Sequence, residues 1–518
     1  MRLKTFKMLR KLIVLGLIAC TLPVIASENI KVTSISPVVP LIKGLATNQL
    51  LRIEVCVSKK RHTIKLENMF CKLNVAGIKA IERIEVYSTG KDSQFSDQDK
   101  LASISPVSPS FNIPVTITLK PGIHYIWFSA KLKENADIDA KVEFHVKGLQ
   151  GANSKKYAVT ENSDSYVKRL GIAVRKANDE GVNTFRIPGI ITTDKQTLIA
   201  VYDIRYQSAV DLPGNIDVGL NRSVDGGKSW EPMKVIMDMG EPHTNNGVGD
   251  PAILFDPVTN KIWVAALWSK GNRSIAGSKP GLSEDVTGQF VLVSSEDDGL
   301  TWSAPKSITA QVKNPAWNIF FNGPGNGIAM QDGKIVFAAQ YWDGKSVPYS
   351  NIVYSEDHGI TWKTEDGPKS KTTESQVIET QPGVLMLNMR DNRGAFRSVA
   401  TTVDMGKTWV EHYTSYSALP DPVCMASFIK AGMDVNGKQK EVVFFGNNNS
   451  SSERNNFTIK ASLDLAESWL AKNQLLIDER KSFGYSALTK IDNNTIGLFY
   501  EGVKDLYFVR IPVNEIVR

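Results

Sequence analysis

One eight-residue pattern returns five times between residues 223 and 469, and any fold for this chain must offer it five equivalent places. Ser223-Val-Asp225-Gly-Gly227-Lys-Ser-Trp230 recurs as Ser295-Glu-Asp297-Asp-Gly299-Leu-Thr-Trp302 and as Ser355-Glu-Asp357-His-Gly359-Ile-Thr-Trp362. Thr402-Val-Asp404-Met-Gly406-Lys-Thr-Trp409 replaces serine by threonine, and Ser462-Leu-Asp464-Leu-Ala466-Glu-Ser-Trp469 replaces glycine by alanine. Each copy has the chemistry of a hairpin turn. The aspartate accepts hydrogen bonds from turn amides, the glycine supplies a positive φ, and the indole packs on neighbouring strands. The Ala466 copy is therefore expected to be the most distorted. Successive aspartates lie 72, 60, 47 and 60 residues apart, about one four-stranded blade with variable loops, so the repeat predicts a propeller. Its aspartates are explained by their turns and are not catalytic candidates.

The region before the repeats has a different rhythm. Short alternating runs occupy 51–57, 80–87, 114–119, 124–128 and 141–147. In the last, Val142, Phe144 and Val146 share one face and Lys141, Glu143, His145 and Lys147 the other, the period of a half-buried strand. Residues 27–167 are read as a β-sandwich and 168–518 as the propeller, with a polar, Gly/Ser/Asn-rich linker at 151–165. The whole chain is expected to be all-β. The acidic stretch Asp92 to Asp99 lacks the glycine and terminal glutamate of an EF-hand loop, and reads as a solvated loop.

Composition narrows the function classes. With 42% hydrophobic and 22% charged residues, the 518-residue chain is neither disordered nor a multi-pass membrane protein. Five basic residues of the first eleven account for most of the formal charge of +7, leaving +2 after residue 26 and no case for nucleic acid as a partner. That basic head, the apolar run from Leu12 to Leu22 and Val24-Ile25-Ala26 read as a signal peptide cleaved after Ala26. Leu17-Ile18-Ala19-Cys20 offers the alternative of a lipid anchor at Cys20. Export is expected in either case, to periplasm, outer surface or medium. Cys56 and Cys71 fit one disulfide or two buried thiols. The six histidines show no metal-ligand spacing, and no C-x-x-C, P-loop or dinucleotide fingerprint occurs, so neither metal nor cofactor is expected.

The repeat resembles the Asp box of sialidases, and Phe185-Arg186-Ile187-Pro188 resembles the FRIP signature that precedes the first box in that family. Over about residues 168 to 518 the chain resembles the bacterial exo-sialidases (neuraminidases) of glycoside hydrolase family 33. The resemblance implies a six-bladed β-propeller, preceded by the β-sandwich domain found in some of these enzymes, where a glycan-binding role is often assumed.

The implied substrate sets its own demands. Sialic acid carries a carboxylate on the anomeric carbon, which suits guanidinium groups donating paired hydrogen bonds. The resemblance assigns that task to Arg186, to Arg390, with Arg393 competing, and to Arg454. It makes Arg205 a substrate-contacting arginine and Asp211 the acid/base on a mobile loop, with Asp203 and Asp217 as rivals. Such an acid requires a raised pKa. Asp250 fits either a contact to the N-acetyl end of the sugar or a turn before Pro251. A carboxylate nucleophile would be repelled by the substrate's own carboxylate, and sialidases are an exception to the two-carboxylate scheme, using a tyrosine. Tyr485 matches that nucleophile, Glu374 its proton acceptor, with Glu379 as the alternative, and Glu501 the acid that orients Arg186. Packing explains most of the aromatic stretch Trp317, Phe320, Phe321, Tyr341 and Trp342, and none is assigned to the site. The implied activity is that of a monomeric retaining exo-α-sialidase acting on sialylated glycans of glycoproteins and glycolipids. The alternatives are a non-catalytic glycan-binding propeller and a trans-sialidase.

Overall fold

The computed structural model describes residues 30–58, 63–271 and 273–518. The expected signal peptide and Cys20 lie outside the described residues.

The N-terminal region is a two-sheet sandwich. One sheet runs Thr160–Glu161, Ile30–Ile35, Gln49–Val57, Gly122–Leu132, Ile81–Gly90, Lys100–Ile104, and the other contains Ser110–Leu119, Ile64–Leu73 and Lys141–Gly151. Their inner faces meet in one core, where Ile53, Ile84 and Phe128 join Leu66, Val142, Phe144 and Val146. Glu143 and Lys147 are exposed, as the alternation requires. Cys56, Cys71 and Cys424 are free thiols. Cys71 is buried but Cys56 is exposed, so neither the disulfide nor a pair of buried thiols is what forms.

The segment read as a linker is built into this sandwich. Lys156–Ala158 pairs with Lys141–Gly151, and Thr160–Glu161 runs parallel to Ile30–Ile35. These two short edge strands carry Lys156, Thr160 and Glu161, while Asn153 and Ser154 form a 3-10 turn and Asn162, Ser163 and Ser165 follow the second strand, so the segment in composition looks like a tether. The strand that follows, Val167–Arg175, joins the two regions. Its first residues pair with Lys141–Gly151 of the sandwich, its middle with Leu41–Lys43, and its end with Leu506–Pro512 of the propeller. One nine-stranded sheet thus passes from domain to domain.

The propeller has six blades, and strands are counted outward from the first in chain order. Blade 1 is Thr184–Thr192, Leu198–Arg205, Ile216–Ser223 and Lys234–Met237; blade 2 begins at Val248–Asp256, blade 3 at Ile319–Asn322, blade 4 at Thr372–Gln381 and blade 5 at Ser427–Val435. Blade 6 takes Ser486–Lys490, Thr495–Glu501 and Leu506–Pro512, and its fourth strand is Val167–Arg175, so chain from before blade 1 closes the ring.

The repeats are the hairpins between third and fourth strands of blades 1 to 5. In every copy one carboxylate oxygen accepts the backbone N–H four residues on, at 2.8–3.0 Å, and the other accepts that residue's hydroxyl. The expected distortion at Ala466 is absent. Ala466 adopts φ 72° and donates its N–H to Ser462 Oγ at 2.9 Å, as Gly227 does to Ser223. The turn keeps its shape and the alanine takes up the left-handed conformation. The indoles reach across strands: Trp230 packs on Phe499 and Phe508 of blade 6.

Candidate active site

Antiparallel blades put first-strand starts and second-strand ends on one face, and the hairpins carrying the repeats on the other. Arg186, Asp250 and Glu374 stand near the starts of first strands in blades 1, 2 and 4, and Tyr485 immediately precedes that of blade 6. Arg205, Arg390 and Glu501 stand at or next to the ends of second strands in blades 1, 4 and 6. Asp211 follows in the loop after Arg205, and Arg454 lies in the loop entering the third strand of blade 5. A cleft of about 330 Å³ opens on this face, lined by Arg186, Asp211, Asp250, Glu374, Arg390, Arg454 and Tyr485.

Tyr485 is buried, and its phenol donates a hydrogen bond to Glu374 Oε1. Arg390 Nη1 donates to Glu374 Oε2 at 2.5 Å and to Tyr485 Oη at 3.1 Å. Burial, and then the charge of Glu374, hold the phenol well above the ordinary tyrosine range, so it is protonated at rest. Below it, Glu501 ties two blades together. Its Oε2 accepts the Tyr485 N–H at 2.9 Å, while Oε1 accepts Arg186 Nε at 3.0 Å and the Ile187 N–H at 3.1 Å. Ile187 adopts φ 60°, an outlier for a β-branched residue, and that turn aims its N–H at Glu501. Arg454 is braced by two carbonyls, Phe483 O at 3.0 Å and Val423 O at 3.1 Å.

The model that describes the N-terminal domain of BNR-repeat neuraminidase matches residues 27–155, and that of the BNR repeat-like domain matches 206–499, more than half of the chain. A sialidase of Bacteroides fragilis is 46% identical over 410 residues, covering 77% of this chain and 75% of that protein. The chain belongs to the sialidase family. A sialidase of Micromonospora viridifaciens is 31% identical over 62% of this chain and half of its own length. Among solved structures, the Hadza microbial sialidase Hz136 superposes with a TM-score of 0.87 at 36% identity, over 94% of this chain and all of that one. As a member of this family the protein is an exo-α-sialidase enzyme.

Two expectations for this sialidase need correction. Asp211 does not have a raised pKa. Partial desolvation of its carboxyl pushes it up, but Arg205 Nη1 at 2.6 Å and Arg186 Nη1 at 3.4 Å outweigh that and hold it below the ordinary aspartate range. Arg205, in turn, does not line the cleft. It is 1% exposed, with Nε and Nη2 on Asp203 Oδ2 at 3.0 and 2.8 Å and Nη1 shared between Asp211 and Ala209 O. It lies behind Asp211 and holds it.

The rivals fall away by position. Asp203 is sealed under Arg205, where burial pushes it up to about 6 against the pull of that guanidinium. Asp217 accepts the Tyr206 hydroxyl at 2.9 Å and does not line the cleft. Arg393 turns back to Asp391, and Glu379 accepts backbone N–H groups of Gln331 and Gly383. Asp250 forms the expected turn and also lines the cleft. It adopts φ 57° before Pro251 with its N–H on Asp203 Oδ1 at 2.8 Å, and its carboxyl reaches the cleft, held well above the ordinary range by burial and by Asp203.

Sequence reasoning missed one wall of the cleft. Trp317 and Tyr341 stack in the core with centroids 3.8 Å apart, and Phe320 is buried beside them, but Phe321, Gln340 and Trp342 line the opening. The signal was period two: adjacent strand residues point to opposite faces, so Phe320 and Phe321 cannot share an environment.

Proposed function

We propose that the protein is a retaining exo-α-sialidase that releases terminal sialic acids from glycoproteins, glycolipids and oligosaccharides through a tyrosyl-sialosyl intermediate. The observation that carries this reading is the Tyr485 phenol hydrogen-bonded to Glu374 within a cleft lined by Arg186, Arg390 and Arg454. The three guanidiniums grip the substrate carboxylate and fix the anomeric carbon over Tyr485. A neutral phenol approaches this anionic centre without the repulsion a carboxylate would meet. As the new C–O bond forms, the phenolic proton passes to Glu374, and Arg390, touching both oxygens, stabilises the charge in transit.

Asp211 protonates the departing glycosidic oxygen and later takes a proton from water. At rest its arginine partners favour the ionised form. A substrate carboxylate arriving at Arg186 brings negative charge and competes for that guanidinium, which raises the proton affinity of Asp211. The acid is thereby armed by the occupied cleft. Asp250 and the Phe321 wall receive the remainder of the sugar.

The test is turnover of a fluorogenic sialoside by wild type and Tyr485→Phe, with proton NMR following the first product. Early α-anomer that vanishes with the mutant supports the reading. Early β-anomer contradicts it, and accumulation of a sialylated galactoside on adding galactoside acceptor would replace hydrolysis by transfer.

A further inference from the structure

Asp211 itself is exposed, with 64% of its side chain in solvent, and the loop expected to be mobile is anchored one residue further on. Leu212 is 8% exposed and packs into an apolar cluster with Ile216, Leu267, Ile319 and Phe321, drawn from blades 1, 2 and 3. Gly247, just ahead of the first strand of blade 2, forms the floor under the same loop. A Cβ at that position would lie 2.3 Å from Gly214 O and 2.6 Å from Leu212 Cδ2, so any side chain displaces the loop backbone. The Gly247 backbone is tied to blade 2, where its carbonyl accepts the Ser269 N–H at 2.9 Å. Its φ is not left-handed, and the requirement is for space alone.

We infer that Leu212 and Gly247 are positioning residues for the acid/base: a socket of blades 2 and 3 that holds the Asp211 loop at the leaving-group oxygen. This rests on the reading of Asp211 as the general acid. Once a substrate carboxylate engages Arg186, the carboxylate of Asp211 keeps only Arg205 as a fixed partner, and the socket supplies the remaining restraint. Phe321 belongs to both the socket and the cleft wall, so one apolar cluster positions the acid and shapes the substrate's surroundings.

A misplaced Asp211 slows the bond-breaking step, which kcat/KM reports, only where the leaving group needs protonation, and that separates positioning from general damage. The experiment measures kcat/KM for a sialyl galactoside, whose alkoxide cannot leave unprotonated, and for an aryl sialoside with a good phenolate leaving group. The proteins are wild type, Asp211→Ala, Leu212→Ala, Gly247→Ala and the volume-conserving Leu212→Met, each checked by thermal melting. Leu212→Ala and Gly247→Ala are expected to lose about 10²-fold on the galactoside and less than about tenfold on the aryl sialoside, with Leu212→Met near wild type. Equal losses on both substrates, or no loss, while Asp211→Ala shows the selectivity, would overturn the inference. If Asp211→Ala itself lacks that selectivity, the acid assignment fails instead.

Discussion

Both ends of the propeller carry rows of carboxylates, and the two rows are held in opposite ways. On the repeat face, Asp225, Asp297, Asp357, Asp404 and Asp464 are met by hydroxyls and amides two to four residues away. Such bonds favour the charged form; those from Thr301 draw Asp297 down to about 2. On the cleft face Asp203 and Asp211 share the nearby Arg205, but Glu501 and Glu374 find their partners far away in sequence. Glu501 meets Arg186 across 315 residues and Glu374 meets Tyr485 across 111. There burial pushes Asp250, which lines the cleft, well above the ordinary range, and Asp203, sealed beneath Arg205, up to about 6. A carboxylate satisfied by its own turn is a staple, whereas one placed on the cleft by the whole fold is available for chemistry.

The contrast is broken most directly by activity. Tyr485→Phe should lower kcat by more than about 10³-fold with little change in melting temperature, and residual turnover near wild type would remove the long-range row from catalysis. Glu501→Gln puts an amide where three N–H donors converge, leaving buried donors unpaired. It should cost about 10²-fold in kcat/KM through misplacement of Arg186 and Tyr485, read by steady-state kinetics alongside circular dichroism. The arming of Asp211 predicts that the alkaline limb of kcat lies at higher pH than that of kcat/KM, because the acid's pKa is raised in the complex; coincident limbs would contradict it.

The repeat face should respond in stability alone. Asp297→Asn should leave kcat unchanged and lower the melting temperature. The folded pKa of Asp297 is depressed, so its contribution is present above the ordinary carboxylate pKa of about 4 and disappears as pH falls through about 2. Melting of wild type and mutant should therefore converge toward pH 2, and a gap independent of pH would sink the assignment. The smallest effect is expected from Ala466→Gly. It relieves a left-handed alanine at φ 72° but removes a buried methyl, for a rise of about 1–3 °C in Tm and no change in activity.

The same contrast explains what was legible in the sequence. The repeat turns close within eight residues, so their chemistry could be derived from residue types, and the structure departs only at Ala466, where the backbone absorbs a missing glycine. The alternation at 141–147 is likewise local. Nothing local marks Glu374 or Glu501, each of which reaches a partner in another blade, Tyr485 and Arg186; resemblance named them, and burial and geometry give them their surroundings. Two features failed for one reason, that they depend on contacts made only after folding. The Asp211 pKa is set by Arg186 and Arg205 rather than by its loop, and Lys156–Ala158 and Thr160–Glu161 became edge strands because the sandwich offered them partners.

The central claim is that a phenol from the long-range row, and no carboxylate, attacks the sugar. Brief incubation with 2,3-difluorosialic acid, rapid acid quenching and peptide mass spectrometry tests it directly. The account predicts one sialosyl adduct on the peptide carrying Tyr485, absent from Tyr485→Phe. An adduct on Asp211, Asp250 or Glu374 would contradict it.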